Sequence, residues 1–278
     1  MKRISLLIIA IASMALLMAG CGLFGADTDS KNQANAGQTA VQQEKPKEAV
    51  KLVTPKEGIP VLMYHKVGPD KDNDAVIAED LFRKQMKFLK DNGYHPLTME
   101  QLYAYVTKGD KVPEKPVVLT FDDGYADTYS IVYPVLKEYG FAGTVFINPG
   151  DIGTRLTWDQ VREMKKGGMT IANHGFNHVE MGQLSEQEQY ENIKKGQDAL
   201  AKEVGIDNNM WFCFPYGDTN EYSQAAAKKA GIKMAMMMKS GWAHEGDNPY
   251  NILRVWIGNA VDLQHFEERL NTMHYSDI

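Results

Sequence analysis

Short apolar segments alternate with longer amphipathic segments between residues 59 and 271 of the 278-residue chain. A short apolar run bounded by turn residues is typical of a buried strand, and apolar residues three or four positions apart predict a helix that buries one face. The segment 80–92, for example, carries Phe82, Met86 and Leu89 on one side of a predicted helix. The predicted strands are 59–64, 117–121, 143–147, 169–172, 211–214, 233–238 and 253–257, and the predicted helices are 80–92, 128–139, 158–166, 185–204, 221–230 and 262–271.

This alternation predicts an α/β fold with a parallel sheet, because strands that alternate with helices pair in parallel. We expect a single domain in which about seven parallel strands close, or nearly close, into a distorted (β/α) barrel. A length near ~250 residues accommodates one barrel of this kind. Catalytic residues of such barrels lie on loops at the C-terminal ends of the strands, so polar residues at those positions are the candidates for chemistry.

The N-terminus has the pattern of an export signal. Lys2 and Arg3 precede an apolar run at 4–18, which is shorter than the ~20 residues that a membrane-spanning helix needs. The run ends in Leu-Met-Ala-Gly-Cys21, which resembles a bacterial lipoprotein lipobox with Met18 where leucine is usual. We therefore expect a signal peptide at 1–20 and an extracytoplasmic protein anchored to the membrane through lipidated Cys21, with plain secretion as the alternative.

Residues 21–57 contain few large apolar side chains and many Ala, Gly, Gln, Asn, Lys and Glu residues. A segment of this composition cannot bury enough apolar surface to offset the entropy lost on ordering. We predict a flexible linker at 21–57 that joins the anchor to a catalytic domain at 58–278.

The net charge and the cysteine content argue against certain classes of function and of metal site. The formal charge of −6 and the pI of about 5.7 argue against a nucleic-acid-binding protein, which normally carries a basic surface. The chain has two cysteines, Cys21 and Cys213, so acylation of the first would leave no internal disulfide and no cysteine-based zinc site. We expect a monomer.

Two adjacent carboxylates close the predicted strand 117–121, in the segment Thr-Phe-Asp122-Asp123-Gly. Neighbouring carboxylates repel each other unless a cation neutralises them, so the pair suggests a metal site. The alternative is an ordinary surface turn, for which Asp and Gly are common residues.

Two histidines, His174 and His178, follow the predicted strand 169–172. Four positions apart, they can direct both rings to one point if the segment coils into a turn, and two imidazoles with one carboxylate form a three-ligand site with room for water. The alternative is a pair of exposed loop histidines. Because both motifs end predicted strands, their combination favours a hydrolytic metal centre.

These two motifs, followed by Phe214-Pro-Tyr216-Gly217, resemble those of the polysaccharide deacetylases, the NodB-like family-four carbohydrate esterases. The resemblance extends from about residue 59 to the C-terminus. The opening segment 60–65, Pro-Val-Leu-Met-Tyr-His65, is similar to the branch that deacetylates poly-N-acetylglucosamine.

The resemblance implies a role for each matching residue and a substrate. Asp122 would be the general base, and the backbone N–H of Tyr216 would help to hold the oxyanion. Asp123, His174 and His178 would bind a divalent metal, which in this family is usually Zn²⁺. The implied substrate is a polysaccharide that contains N-acetylglucosamine, and the implied product is acetate.

The chain departs from the family's pattern at three places. Gly175 stands where the histidine motif usually has Ser or Thr, and Cys213 stands where an arginine usually orients the catalytic aspartate. Arg254 is a candidate substitute for that arginine, and the alternative is an ordinary surface arginine. The usual late Leu-x-His motif is missing, and His265, on a predicted amphipathic helix, is interpreted as structural.

A general acid and a substrate groove complete the prediction. His65 ends the first predicted strand, where a histidine can carry a proton near neutral pH, and the alternative is a buried structural histidine. Trp242, Tyr125 and Asn148 are candidates for lining the groove, although aromatic residues near strand ends are more often packing residues.

The sequence therefore predicts a metal-dependent hydrolase that removes N-acetyl groups from an extracellular or cell-wall polysaccharide. Two alternatives stay open. One is a non-catalytic glycan-binding module with a degenerate site, which the missing motif arginine favours. The other is a metallohydrolase that acts on a sugar O-acetyl ester.

Overall fold

The computed structural model describes residues 50–70 and 72–274. The predicted signal peptide, Cys21 and residues 21–49 of the predicted linker lie outside the described residues. Within the described residues, no helix has both the length and the hydropathy required to cross a membrane.

Seven parallel strands form a closed barrel, which confirms the predicted fold class. Each strand pairs with its neighbours in sequence, and the first strand pairs with both the second and the last, so that the ring closes. Each strand starts and ends within two residues of the predicted bounds. The strands are β1 Val61–Tyr64, β2 Pro116–Phe121, β3 Thr144–Ile147, β4 Thr170–Asn173, β5 Trp211–Cys213, β6 Met234–Ser240 and β7 Ile252–Trp256.

Helices pack around this barrel between successive strands. The segment predicted as a helix at 128–139 begins with a π-helical turn at Thr128–Val132 and continues as an α-helix. The predicted start at Ser185 is confirmed by a capping box with Glu188. The α-helices are α1 Glu79–Asp91, α2 Met99–Lys108, α3 Tyr133–Tyr139, α4 Trp158–Lys166, α5 Glu186–Val204, α6 Ser223–Lys229 and α7 Leu263–Asn271.

Helix α2 is absent from the sequence prediction. Thr98 begins it with a capping box in which Gln101 returns the hydrogen bond. Its buried side chains share one apolar cluster with residues that begin the strands, including Ile59 and Trp211. The helix therefore closes the end of the barrel opposite the C-terminal ends of the strands.

Alternate residues of the strands face two different apolar layers. Val61 and Val118 lie in the cluster that also contains Phe146 and Cys213, whereas Leu62 and Leu119 pack into the cluster that contains the surrounding helices. Every residue of β1 and β2 is buried, as expected for strands covered on both faces. This double burial explains why the strands appear in the sequence as continuous apolar runs.

The predicted linker extends too far toward the barrel. Leu52 and Val53, near its predicted end at residue 57, form a short antiparallel pair with Val112 and Pro113. Backbone hydrogen bonding orders this segment although it buries little apolar surface, which is why composition alone predicted a flexible chain. Two other short pairs extend the fold: Lys66–Val67 with Val76–Ile77, and His95–Pro96 with the start of β2.

Candidate metal centre

Asp122 and Asp123 follow β2 at the C-terminal end of the barrel and point to different partners. Asp122 continues the strand pairing, since its N–H donates to the Tyr64 carbonyl at 2.9 Å. Asp123 has a positive φ of 72°, which turns the chain sharply. Gly124 also has a positive φ, and a Cβ there would lie 2.7 Å from the Ile147 side chain, so the turn requires glycine.

The three predicted metal ligands converge. The Oδ1 atom of Asp123 lies 3.1 Å from Nε2 of His178 and 3.4 Å from Nε2 of His174. One ligand atom from each residue lies within 4.8 Å of the others. Asp123 and His174 are buried and His178 is partly exposed, so the site opens on one side.

Hydrogen bonding prepares these atoms for a cation. Nδ1 of His174 is 2.7 Å from the Cys213 carbonyl oxygen, which can only accept, so this nitrogen carries a proton and Nε2 is the ring nitrogen that faces the site. Oδ1 of Asp123 is buried and has no hydrogen-bond donor. Burial opposes the charge on Asp123, but the two imidazoles bring its pKa well below the ordinary value, so it remains a carboxylate. The donor set fits a divalent metal with two nitrogen ligands and one oxygen ligand.

Arg254 is a buried partner of Asp122 and not a surface arginine. It is 1% exposed, and its guanidinium makes two parallel hydrogen bonds to Asp122, Nη1 to Oδ1 at 2.8 Å and Nη2 to Oδ2 at 2.7 Å. Its Nε also donates to the Met237 carbonyl at 2.9 Å. Burial raises the pKa of Asp122, but the Arg254 charge outweighs burial and leaves this pKa below the ordinary value.

The cysteine at the family's arginine position makes this arrangement possible. Sγ of Cys213 lies 3.1 Å from Nη2 of Arg254 and 3.6 Å from Oδ2 of Asp122. The small thiol on β5 leaves space that a guanidinium from β7 enters. The charge that orients the aspartate therefore comes from a different strand.

His65 faces the same end of the barrel as Asp122. Its Nε2 lies 3.9 Å from Oδ2 of Asp122, and its ring packs at 4.9 Å from that of Trp256. Its Nδ1 is buried without a hydrogen-bond partner. Burial lowers the pKa of His65, and the Asp122 charge offsets this only in part.

Tyr216 lies beside the predicted metal ligands, in a turn where its own φ is positive. Its φ is 58°, its side chain is exposed, and its ring lies 4.3 Å from that of His178. The turn rests on β6, because a Cβ on Gly217 would come within 2.7 Å of the Met238 backbone nitrogen. An exposed aromatic surface therefore lies next to the site.

Asparagines hold the histidine loop where the family usually has a hydroxyl. Gly175 has a φ of 80°, and a Cβ there would lie 2.6 Å from Oδ1 of Asn192. That oxygen accepts from the Phe176 N–H at 2.7 Å, and Oδ1 of Asn173 accepts from the Gly175 N–H at 3.0 Å. The glycine thus makes room for a side chain from α5, which no sequence motif indicated.

Two of the three predicted groove residues do not line a groove. Asn148 is 1% exposed and donates to the His174 carbonyl at 2.6 Å, so it supports the histidine loop. Trp242 is 6% exposed and belongs to the apolar core. Tyr125 is partly buried, with the Arg155 guanidinium 4.5 Å from its ring centroid. Trp242 thus packs as a core residue, whereas Tyr216 presents an exposed aromatic side chain beside the predicted ligands.

Comparisons with known proteins agree with these motifs. A family model described as polysaccharide deacetylase matches residues 109–235. The Bacillus subtilis (strain 168) protein YxkH, provisionally assigned as a polysaccharide deacetylase, is 31% identical over 294 residues, which cover 98% of this chain and 100% of that protein. The Escherichia coli (strain K12) poly-beta-1,6-N-acetyl-D-glucosamine N-deacetylase is 26% identical over 266 residues, 79% of this chain and 39% of that protein.

A solved structure shows the same fold. The Streptococcus pyogenes deacetylase PplD in complex with acetate superposes with a TM-score of 0.72 at 29% identity, covering 78% of this chain and 98% of that one. The superposition covers nearly the whole PplD chain, so the similarity is not confined to the motifs.

Proposed function

Because the chain belongs to the polysaccharide deacetylase family, we propose that it is a metal-dependent hydrolase that removes N-acetyl groups from N-acetylglucosamine units of a polysaccharide. One observation carries this proposal: Asp123, His174 and His178 converge on one point, and Asp122 lies beside them at the C-terminal end of the barrel. A base next to a three-ligand metal site is the arrangement that hydrolysis requires.

The substrate and the metal are also proposals. The Escherichia coli and Staphylococcus aureus relatives act, by their names, on poly-beta-1,6-N-acetyl-D-glucosamine, which supports that polymer as the substrate here. Zn²⁺ is the metal that a set of two imidazoles and one carboxylate favours. When bound, such an ion polarises the acetamide carbonyl and lowers the pKa of water toward ~7.

The side chains around the site divide the proton transfers between them. Asp122, kept as a carboxylate by Arg254, removes a proton from the attacking water. The backbone N–H of Tyr216 donates to the oxygen that becomes negative, and one such donor contributes about 3 kcal/mol. His65, 3.9 Å from Asp122, gives a proton to the departing nitrogen, and acetate leaves. The proton that His65 gives replaces the one that Asp122 removed from water, so the Asp122–His65 pair ends the reaction with the number of protons it had at the start.

We propose an extracytoplasmic location with a membrane anchor through Cys21, and a monomeric protein. The basic start and the apolar run at 4–18 support this location, since that pattern is typical of an export signal. A polysaccharide of the cell surface would be accessible to an enzyme there.

The position of Arg254 also affects the choice between the deacetylase and the alternative functions. The missing motif arginine favoured a non-catalytic glycan-binding module, and the bidentate contact between Arg254 and Asp122 removes that reason. The other alternative is a sugar O-acetyl esterase, which would need the same base and metal.

A substrate panel tests the proposed function. We expect the zinc-loaded protein to release acetate from oligomers of β-1,6-linked N-acetylglucosamine faster than from chitin oligomers or peptidoglycan fragments, and to release little from an O-acetylated sugar. Acetate is measured by a coupled assay. Faster release from the O-acetyl ester would support the esterase alternative, and no release from any substrate would support the binding module.

A further inference from the structure

Arg155 contacts the metal ligand Asp123 but belongs to none of the motifs. It follows β3 and a short 3₁₀ turn at Pro149–Asp151. Its Nη1 donates to the main-chain carbonyl of Asp123 at 3.0 Å, and the same nitrogen is 3.9 Å from Oδ1, the ligand atom. One guanidinium therefore touches both the backbone and the carboxylate of this residue.

The backbone of Asp123 needs such a contact. Asp123 has a φ of 72°, and a non-glycine residue at positive φ persists only when its surroundings hold it there. The next residue, Gly124, is confined by Ile147 and by Leu156, whose Cδ1 would lie 3.3 Å from a Cβ at this glycine. Leu156 is adjacent to Arg155 in the chain, so one loop contacts both residues of the turn.

Arg155 is itself held in place. Its guanidinium lies 4.5 Å from the centroid of the Tyr125 ring, and its Nη2 is 3.4 Å from Oδ2 of Asp151. Its side chain is 27% exposed. A planar guanidinium can stack and donate at the same time, and a lysine ammonium cannot do both in this geometry.

Geometry and charge predict opposite effects of Arg155 on a cation. A positive group 3.9 Å from a ligand oxygen repels the ion, so charge alone would make metal binding weaker in the presence of Arg155. A group that fixes the ligand in the binding orientation makes metal binding stronger. Arg155 donates to the carbonyl of Asp123, whose backbone has a positive φ. From this contact we infer that Arg155 is a positioning residue, which holds Asp123 in the orientation that binds the metal.

A zinc titration distinguishes the two effects. We expect Arg155→Met to weaken Zn²⁺ affinity of the chelator-stripped protein about 10-fold to 100-fold, the range typical for residues that orient a ligand. Arg155→Lys should recover part of this loss, because the ammonium can still donate to the carbonyl. Calorimetry or competition with a chromogenic chelator measures the affinity. Unchanged or tighter binding in Arg155→Met would overturn the inference.

Control variants distinguish a loss of ligand positioning from a general loss of folded structure. Arg162, an arginine of α4 whose contacts lie away from the site, provides the matched variant Arg162→Met, which should bind zinc like the wild type. The metal-free Arg155→Met protein should unfold within a few degrees of the metal-free wild type. If Arg155→Met fails to fold, Asp151→Asn removes a support of the guanidinium and should weaken zinc binding at least twofold. Unchanged affinity there would also overturn the inference.

The inference rests on the proposed function only through the shared metal ligands. No sugar enters the titration, so a wild-type protein that binds zinc but releases no acetate would contradict the deacetylase proposal and leave this result intact. Conversely, an active enzyme whose zinc affinity does not depend on Arg155 would contradict the inference alone.

Discussion

Replacement of Asp122 by asparagine is expected to lower kcat for acetate release about 10³-fold and to leave Zn²⁺ affinity nearly unchanged. The carboxylate lies outside the three-ligand group formed by Asp123, His174 and His178, and it faces His65 at 3.9 Å. Asparagine keeps the shape of the side chain but cannot take a proton, and a general base contributes about 10²–10⁴-fold. Steady-state acetate release and zinc titration measure the two quantities.

Asp123→Asn is the matched comparison on the neighbouring position. It should lose metal affinity, since its Oδ1 lies within 3.4 Å of both imidazoles. If Asp122→Asn lost the metal and Asp123→Asn kept it, the assigned roles of the two aspartates would be reversed.

Replacement of Arg254 by methionine is expected to lower the free energy of unfolding by about 3–5 kcal/mol at neutral pH, because it leaves the buried Asp122 carboxylate without its partner. The same change removes the charge that keeps the pKa of Asp122 low, so burial would raise that pKa and the acidic limb of the pH–rate profile would move to higher pH. Denaturant unfolding and the pH dependence of kcat/KM measure these effects.

The pH dependence of the free energy of unfolding shows whether the Arg254–Asp122 pair stabilises the fold. The lowered pKa of Asp122 stabilises the wild-type fold above about pH 4, and this contribution is lost as pH falls through the folded-state pKa. The difference between wild type and Arg254→Met should therefore be smaller at acid pH, where the unpaired carboxyl is protonated. The double variant Asp122→Asn/Arg254→Met should recover part of the stability, because no charge is then buried alone. Equal loss at all pH values would exclude the charge pair as its cause.

The barrel could be predicted from the sequence because its strands are buried on both faces. Every residue of β2 is buried, so it appears as a mainly apolar run, with Thr120 its one polar member, that stops before Asp122. The position of strand ends then identified Asp123, His174 and His178 as neighbours, since the C-terminal ends of parallel strands meet at one end of a barrel.

Contacts between distant segments could not be predicted in this way. The bidentate bond of Arg254 to Asp122 joins residues 132 positions apart, and no local pattern around Arg254 distinguishes it from an exposed arginine. Asn192 lies in the middle of α5 and Arg155 in a loop, and neither position has a local pattern that indicates its partner. Helix α2 does have local signals, the capping box of Thr98 and Gln101 and buried residues at helical spacing, which the sequence prediction did not use.

The most direct test of the central claim is acetate release from a β-1,6-linked N-acetylglucosamine oligomer by one preparation of protein, measured after removal of metal by a chelator and again after addition of one equivalent of Zn²⁺. We expect release to fall to the background rate in the stripped protein and to return with the added ion, because Asp123, His174 and His178 are the proposed ligands of one ion. Undiminished release from fully stripped protein would contradict a hydrolysis that depends on a metal at these three residues.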